Sequence, residues 1–224
     1  MTTKDKPVSP SELDLKEGIF LVKLARNGVV YYLDNHSIMK VPVETPGKLL
    51  RPGAAFVTIE TYHGPEHRDL RGCIGYIDPI KPLAEVVIEV AVEAAFNDPR
   101  FPPLRREELN RVTFEVSVLS EKILLPEDPR ERVKSVVIGR DGLIVEKGFA
   151  RGLLLPQVPI EYSWDVETFL SETCIKAGLF ADCWLDSTIN VYRYEARVFR
   201  EKEPLGPVEE RDLVAEYRAK ISRS

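Results

Sequence analysis

The feature that most constrains the fold is an order of predicted elements that occurs twice, each time around an Arg-Gly pair. Arg71-Gly72 stands in the first half of the chain and Arg151-Gly152 in the second. Each pair lies in a strand-like segment, which is followed by a proline-marked loop, a predicted helix and another predicted strand. Two such units predict an α+β fold with a pseudo-twofold axis, in which helices cover a mostly antiparallel sheet or barrel.

The first predicted unit covers roughly residues 54–120 and follows a helix predicted over residues 11–35, which Ser9 would cap. The unit consists of a strand, a turn, a second strand, a helix that begins at Pro82, and a strand whose alternating apolar residues predict one buried face. These segments are residues 54–61, 62–67, 68–74, 82–96 and 111–119.

The second predicted unit covers roughly residues 135–199. The Asp141-Gly142 pair predicts a hairpin turn between two short strands. A strand carrying Arg151, a helix that ends at Gly178 and a long strand then follow. These segments are residues 135–138, 143–146, 150–156, 164–178 and 188–199. Outside the units lie a polar N-terminal tail and a charged C-terminal tail with a short helix, at residues 1–10 and 201–224.

Composition excludes some classes of protein. Hydrophobic residues make up 44% and charged residues 30%, as in soluble globular proteins. The net charge of −5 disfavours bulk nucleic-acid binding, which requires many phosphate contacts. We find no apolar run long enough to cross a membrane and no signal peptide, so a cytoplasmic location with no membrane contact is expected. The abundance of Glu, Lys, Arg and Pro resembles that of proteins from hot environments.

The three cysteines, Cys73, Cys174 and Cys183, follow no framework spacing, which predicts reduced thiols. Cys174 falls on the apolar face of its predicted helix and is expected to be buried. No phosphate-binding loop, dinucleotide fingerprint or serine-hydrolase elbow is present, which argues against nucleotide hydrolysis and serine-hydrolase chemistry. The residues identify no cofactor.

Residues 70–75, Leu-Arg-Gly-Cys-Ile-Gly, form the first candidate site. Arg71 would share a strand face with Cys73 and lower its pKa, which favours a nucleophilic thiol. A small thiol between glycines is equally typical of tight strand–helix packing. Gly72 and Gly75 would leave the backbone open to a ligand. The residues therefore leave open a catalytic Cys73 and a binding site formed by Arg71, Gly72 and Gly75.

Two further groups carry polar chemistry. His63 and His67, with Glu66 or Asp69, could bind a metal, but their spacing matches no familiar zinc pattern, so solvated turn histidines and no metal are predicted. The second group flanks a proline in a predicted loop before Trp164. Its members would read a polar ligand or, alternatively, cap the next helix; they are Gln157 and Glu161.

Three motifs resemble those of the AMMECR domain family, in an archaeal-type, thermophile-like form. They are residues 70–75, residues 97–101 (Asn-Asp-Pro-Arg-Phe) and residues 152–158 (Gly-Leu-Leu-Leu-Pro-Gln-Val). The helix at 164–179 also fits, and the resemblance spans roughly residues 11–200. It implies two β-β-β-α-α-β-like repeats, in agreement with the element order above.

For function, the resemblance implies an association with Memo-like proteins and radical S-adenosylmethionine enzymes, and hence a part in a modification pathway. The chain itself lacks the cysteine motif of a radical enzyme. We therefore expect a binding or accessory protein that takes a small molecule or nucleotide in a groove around residues 70–75. A thiol-dependent enzyme that uses Cys73 and a protein–protein scaffold are the alternatives.

Overall fold

The computed structural model describes residues 6–222. Over these residues the helices are α1 Leu15–Asn35, α2 Leu83–Phe96, α3 Pro129–Ser135, α4 Val158–Glu161, α5 Val166–Lys176 and α6 Leu213–Ile221. The strands are β1 Ala54–Gly64, β2 His67–Tyr76, β3 Val112–Leu119, β4 Ile123–Leu124, β5 Asp141–Lys147, β6 Ala150–Leu154, β7 Asn190–Glu201 and β8 Val208–Glu210. Short 3₁₀ turns lie at Pro10–Glu12, Gly47–Leu50, Arg106–Glu108 and Cys183–Leu185.

The chain divides into two compact units. Unit 1 comprises Met1–Leu119 and Arg197–Arg211, and unit 2 comprises Ser120–Ala196 and Asp212–Ser224. Antiparallel pairs are β1–β2, β1–β3 and β7–β8 in unit 1 and β4–β7, β5–β6 and β5–β7 in unit 2, which confirms the predicted α+β class. The predicted pseudo-twofold axis stays a prediction.

In unit 1, β1 pairs with β2 on one side and with β3 on the other. Helix α2 packs against both strands of the β1–β2 hairpin and against α1. The apolar face of α2 is fully buried, as its spacing predicts. The strands at 54–61, 68–74 and 111–119 and the helix after Pro82 are thereby confirmed.

Two details of unit 1 differ from the prediction. Helix α1 begins at Leu15, because Asp14 caps it and forms a capping box with Glu17. Pro10–Glu12 is instead a separate 3₁₀ turn, so Ser9 does not cap the long helix. The predicted half-buried strand β3 is buried along its whole length. Its Glu115 accepts a hydrogen bond at 2.8 Å from Arg211, which pairs the carboxylate on the face predicted to be exposed.

In unit 2, β5 pairs with β6 and with the first part of β7. The prediction of a hairpin turn at Asp141-Gly142 is wrong. The turn that joins the hairpin lies between Lys147 and Ala150, and β5 begins at Asp141. The Asp141 side chain is fully buried and accepts a hydrogen bond from the Val137 backbone N–H at 2.8 Å, so this carboxylate fixes the segment before the strand.

The shared element order appears in both units: a hairpin, then a helix, then a strand. The two Arg-Gly glycines occupy matching places in it. A Cβ on Gly72 would stand 2.0 Å from the backbone oxygen of Ala94, near the end of α2. A Cβ on Gly152 would stand 2.3 Å from the backbone nitrogen of Ala177, just after α5. Each glycine therefore lets the end of a helix press against its strand.

Unit 2 also holds a disulfide between Cys174 and Cys183, which corrects the prediction of three reduced thiols. Cys73 is the free cysteine. Helix α5 and the 3₁₀ turn after it bring the two Cα atoms to 5.8 Å, a separation suited to a disulfide. Burial of Cys174 is confirmed.

Over residues 6–222, none of the helices combines the length and the apolar character that a membrane crossing would need.

Candidate functional site

The 70–75 motif lies on β2, and a β-bulge interrupts the strand within it. Ile59 of β1 pairs with Gly72, but the next residue, Glu60, pairs with Leu70, so Arg71 is an inserted residue. A bulge changes the direction of the side chain that it inserts. The regular alternation that would place Arg71 and Cys73 on one face therefore does not hold here.

The Arg71 side chain is directed to Glu108 rather than to the thiol. Its Nε donates to Oε1 at 2.8 Å and its Nη2 to Oε2 at 3.2 Å, so the two groups form a bidentate ion pair. Arg71 is only 8% exposed. Its Nη1 is buried and has no hydrogen-bond partner among the residues that the structure describes.

The electrostatics of Glu108 reflect this pairing. Burial raises the pKa of the Glu108 carboxyl, but hydrogen bonds from Arg71 and from the Arg105 backbone N–H outweigh that effect, and the pKa is lowered. The carboxylate therefore stays ionised and holds the guanidinium in place at neutral pH.

Beside this ion pair lies an open groove, which we call the Arg71 groove. Its volume is about 770 Å³. Two prolines form part of its wall, and the rest is charged; the lining residues are Arg71, Pro102, Pro103, Arg105, Glu107 and Glu108. Because proline has a restricted backbone, part of the wall is stiff before any ligand arrives.

Cys73 is half-buried, and its Sγ lies 3.3 Å from Oγ1 of Thr58. Burial raises the pKa of the Cys73 thiol to about 11, although the Thr58 hydrogen bond and the charge of Arg100 act in the other direction. At pH 7 roughly one thiol in ten thousand would be ionised. A cysteine nucleophile needs the opposite shift, so the raised pKa argues against that role for Cys73.

The backbone of Cys73 is held by residues of the 97–101 motif. Asp98 accepts from the Cys73 backbone N–H at 2.9 Å, and Arg100 donates through Nη2 to the Cys73 carbonyl at 3.2 Å. Asp98 and Arg100 also pair with each other at 2.7 Å. The Arg100 hydrogen bond outweighs burial and lowers the pKa of Asp98 to about 2. Two of the three family-like motifs, residues 70–75 and 97–101, are therefore joined by direct hydrogen bonds.

The glycines of the motif are closed by protein on the side where a Cβ would stand. The Ala94 backbone fills that space at Gly72, and the Phe56 ring fills it at Gly75, 2.2 Å from the added Cβ position. The prediction that Gly72 and Gly75 leave the backbone open to a ligand is therefore wrong on that side of the strand. Packing, rather than ligand approach, explains why these positions are glycine.

Gln157 and Glu161 lie in unit 2, whereas Arg71, Gly72, Cys73 and Gly75 lie in unit 1. The predicted loop is in fact the short helix α4, which Gln157 precedes and Glu161 ends. Gln157 is buried, and Glu161 is exposed.

Helix α6 fixes this segment from the other side. Lys220 donates through Nζ to the carbonyls of Ile160 at 2.8 Å and Glu161 at 2.6 Å. Helix α5 is capped by Asp165, whose side chain accepts from the Thr168 backbone N–H, so the alternative that Gln157 and Glu161 cap this helix is wrong. The binding role of Gln157 and Glu161 stays a prediction.

His63 and His67 lie on the β1–β2 hairpin with Asp69, and the structure brings the three side chains together. Neither the Asp98–Arg100 pair nor the pairing of Arg71 with Glu108 is predicted from the sequence. The residue pattern Asp-Pro-Arg in the 97–101 motif was the available signal for the former.

Comparison with known proteins gives consistent results. A family model, AMMECR1, matches residues 22–199. A protein from Thermococcus gammatolerans is 51% identical over 197 residues, which is 88% of this chain and 96% of that protein. A protein from Aeropyrum pernix is 50% identical over 214 residues, 96% of this chain and 91% of that protein.

A solved structure is also similar. The crystal structure of the uncharacterized protein PH0010 from Pyrococcus horikoshii has a TM-score of 0.84 and 47% sequence identity to this chain. The similarity covers 88% of this chain and 97% of that one. Because the family model matches most of the sequence and the relatives are about half identical across nearly their full length, the chain belongs to the AMMECR1 family.

Proposed function

We propose that the protein is a ligand-binding, accessory component of a modification pathway, and that it binds a small molecule or nucleotide through one anionic group in the Arg71 groove. The observation that carries this proposal is Arg71 itself. It lines an open groove while almost fully buried, and its Nη1 has no protein acceptor among the described residues.

An unpaired buried donor is costly. Leaving such a group without an acceptor costs about 1–3 kcal/mol, so folded proteins rarely keep one without compensation. Glu108 occupies the edge of the guanidinium formed by Nε and Nη2, which leaves Nη1 for another acceptor. Guanidinium groups match carboxylate and phosphate oxygens in geometry and charge, which supports an anionic group as the missing partner.

The charges of the lining residues further restrict the chemical class of the ligand. Arg71 and Arg105 contribute two positive charges, and Glu107 and Glu108 contribute two negative charges. A polyanion would meet as much repulsion as attraction on these walls. The balance favours a ligand with a single compact anionic group and hydrogen-bond donors elsewhere, and it agrees with the acidic net charge of the chain.

The partner assignments rest on the family resemblance. A Memo-like protein and a radical S-adenosylmethionine enzyme would act on or deliver the ligand, while this chain holds it. The raised pKa of Cys73 supports this accessory role over a thiol-dependent enzyme, because a protonated thiol is a poor nucleophile.

The test is ligand binding by calorimetry and thermal shift, with inorganic phosphate, AMP, citrate and glycine as probes. Native mass spectrometry after incubation with a cell metabolite extract extends the search to compounds that the probes do not represent. We expect Arg71→Ala to weaken binding of the anionic ligand at least tenfold and Cys73→Ser to change it less than twofold.

Arg106→Ala is the matched control. Arg106 lies next to Arg105 but pairs with Asp34 and does not line the groove, so its variant removes the same charge without removing a wall. Equal binding by the wild type and Arg71→Ala, or equal losses in Arg71→Ala and Arg106→Ala, would contradict the proposal. So would a wild type that retains no compound from the probes or the extract.

A further inference from the structure

The tip of the β1–β2 hairpin gathers His63, His67 and Asp69, which we call the hairpin-tip triad. One ligand atom from each side chain lies within 4.8 Å of the others. We propose that the triad is a binding site for a divalent transition metal ion of the zinc class. The site is separate from the Arg71 groove in both its residues and its chemistry, and it stands whether or not the groove binds a ligand.

Strand geometry, rather than loop sequence, brings the ligands together. His67 and Asp69 are two residues apart on β2, so their side chains leave the strand on the same face. His63 lies at a second irregularity of the hairpin: Tyr62 pairs with Arg68, but Gly64 pairs with His67, which leaves His63 without an opposite residue. Such an inserted residue can be directed toward its neighbours across the hairpin.

Each imidazole contacts one oxygen of the Asp69 carboxylate. The Nε2 of His63 lies 3.0 Å from Oδ2 of Asp69, and the Nε2 of His67 lies 3.2 Å from Oδ1 of the same carboxylate. Ligands of a tetrahedral zinc ion, with bonds of about 2.0–2.1 Å, stand roughly 3.3 Å apart. Both histidine–carboxylate separations are therefore close to those that one shared ion requires. The ligand atoms of the two imidazoles lie within 4.8 Å of each other, and side-chain rotations would bring them to the same ion.

The donor set selects the kind of ion. Two imidazoles and one carboxylate suit zinc and its first-row neighbours, whereas calcium and magnesium prefer oxygen ligands alone. The side chains are 47%, 66% and 63% exposed for His63, His67 and Asp69. An ion held by three such ligands would keep at least one coordination position for water or for a group on a partner molecule.

The neighbouring cation does not oppose the ion. Arg68 lies between His67 and Asp69 in sequence, but alternation places it on the other face of β2. It donates through Nη2 to the carbonyl of Lys202 at 2.7 Å and lies over the ring of Tyr62. Its charge is thus engaged away from the triad.

The test uses the full chain without a histidine tag, first stripped of metal and then titrated with Zn²⁺ by calorimetry. Co²⁺ binding, followed by its visible absorption, reports the ligands independently. We expect one equivalent of metal in the wild type, at least a tenfold loss of affinity in His67→Ala, a smaller loss in Asp69→Asn, and no binding at this stoichiometry in the His63→Ala/His67→Ala double variant.

The chain offers matched controls. His36 is the one histidine of the sequence outside the triad, and it occupies the left-handed cap position of α1, which asparagine also tolerates. His36→Asn should bind Zn²⁺ as the wild type does, and Cys73→Ser should do the same, because the thiol is not in the triad. Circular dichroism of the metal-free variants checks that each is folded.

The proposal is overturned if the wild type binds no equivalent of Zn²⁺ above a buffer blank, or if the folded double variant binds it as the wild type does. An equal loss in His36→Asn or Cys73→Ser would also overturn it, since the ligands would then lie elsewhere. None of these outcomes concerns Arg71, so the result does not depend on the proposed function.

Discussion

Arg71 of unit 1 and Arg151 of unit 2 stand in the same Arg-Gly pair of the two repeated element orders, yet their surroundings differ. Arg71 is buried, bound to Glu108 and on the wall of a groove. Arg151 is exposed and pairs across its hairpin with Glu146 at 3.0 Å. The glycines beside them both admit the end of a helix. The glycine of the pair therefore allows close helix packing in both units, whereas the arginine is a candidate binding residue in unit 1.

The cause of the difference is the register of the two hairpins. The β5–β6 pairing runs without interruption, so Arg151 faces Glu146 as a regular cross-strand pair on the surface. The β1–β2 pairing has a bulge at Arg71, which changes the direction of that side chain. A single inserted residue thus separates a solvated ion pair from a buried one.

The largest expected effect tests the common feature. Gly72→Ala and Gly152→Ala should each lower the free energy of unfolding by about 3 kcal/mol, because the new Cβ would collide with helix backbone that cannot move aside cheaply. Urea denaturation measures the change. Gly47→Ala is the control, since its Cβ would meet nothing within 4 Å, and it should change stability by less than about 0.5 kcal/mol. An unchanged free energy of unfolding in either Gly72→Ala or Gly152→Ala would show that the two glycines do not have the same packing role.

A smaller effect should distinguish unit 1, where Asp98 holds the backbone of Cys73. The pKa of Asp98 is lowered from 3.8 to about 2, so its ionised form stabilises the fold at pH values above about 4, and that contribution is lost as the pH falls from about 4 to about 2. Asp98→Asn should therefore cost about 2 kcal/mol at pH 7 and progressively less below pH 4.

Urea denaturation of the wild type and Asp98→Asn at pH 7, 5 and 3 measures this difference. Asp165→Asn is a comparison variant in unit 2, where the carboxylate is an exposed helix cap whose pKa is lowered by hydrogen bonds from Thr168. A difference between the wild type and Asp98→Asn that does not shrink between pH 5 and pH 3 would show that the charge of Asp98 is not what stabilises the motif.

The smallest effect compares the two arginines directly. Arg71→Ala should lower stability by about 1–2 kcal/mol, because Glu108 loses its bidentate partner in a partly buried setting. Arg151→Ala should stay within about 0.5 kcal/mol of the wild type, as is usual for exposed ion pairs. Thermal and urea denaturation of both variants at low and high salt provide the measurement; equal costs would mean that the bulge does not separate the two arginines energetically.

Much of the local structure could be predicted from the sequence. The strand at 54–61, the helix after Pro82 and the stop at Gly178 follow from periodicity and punctuation, and the structure confirms them. The wrong predictions arose where the same short residue pattern is compatible with two different local structures. The Asp141-Gly142 pair is typical of a hairpin turn, but the buried Asp141 carboxylate starts a strand instead.

The position of the candidate site could be predicted from the sequence, but the contacts of its side chains could not. The pattern of residues 70–75 pointed to β2, and the Arg71 side chain does line a groove beside it. The partner of Arg71 lies 37 residues away, and the residues that bind the Cys73 backbone lie 25 and 27 residues away. No pattern in a single sequence specifies which distant side chains meet. The prediction that Arg71 lowers the pKa of Cys73 was wrong, because Arg71 pairs with Glu108 and burial raises the pKa of the thiol.

The sequence by itself determined the order of the elements, their apolar faces and the family, because these depend on periodicity, on turn residues and on motifs that are local in the chain. The tertiary structure alone decided the burial of Arg71, the convergence of His63, His67 and Asp69, and the Cys174–Cys183 disulfide. The physical reason is that one-residue irregularities in strand register and contacts between distant segments set the direction and solvation of these side chains, and neither is encoded in the spacing of residue types.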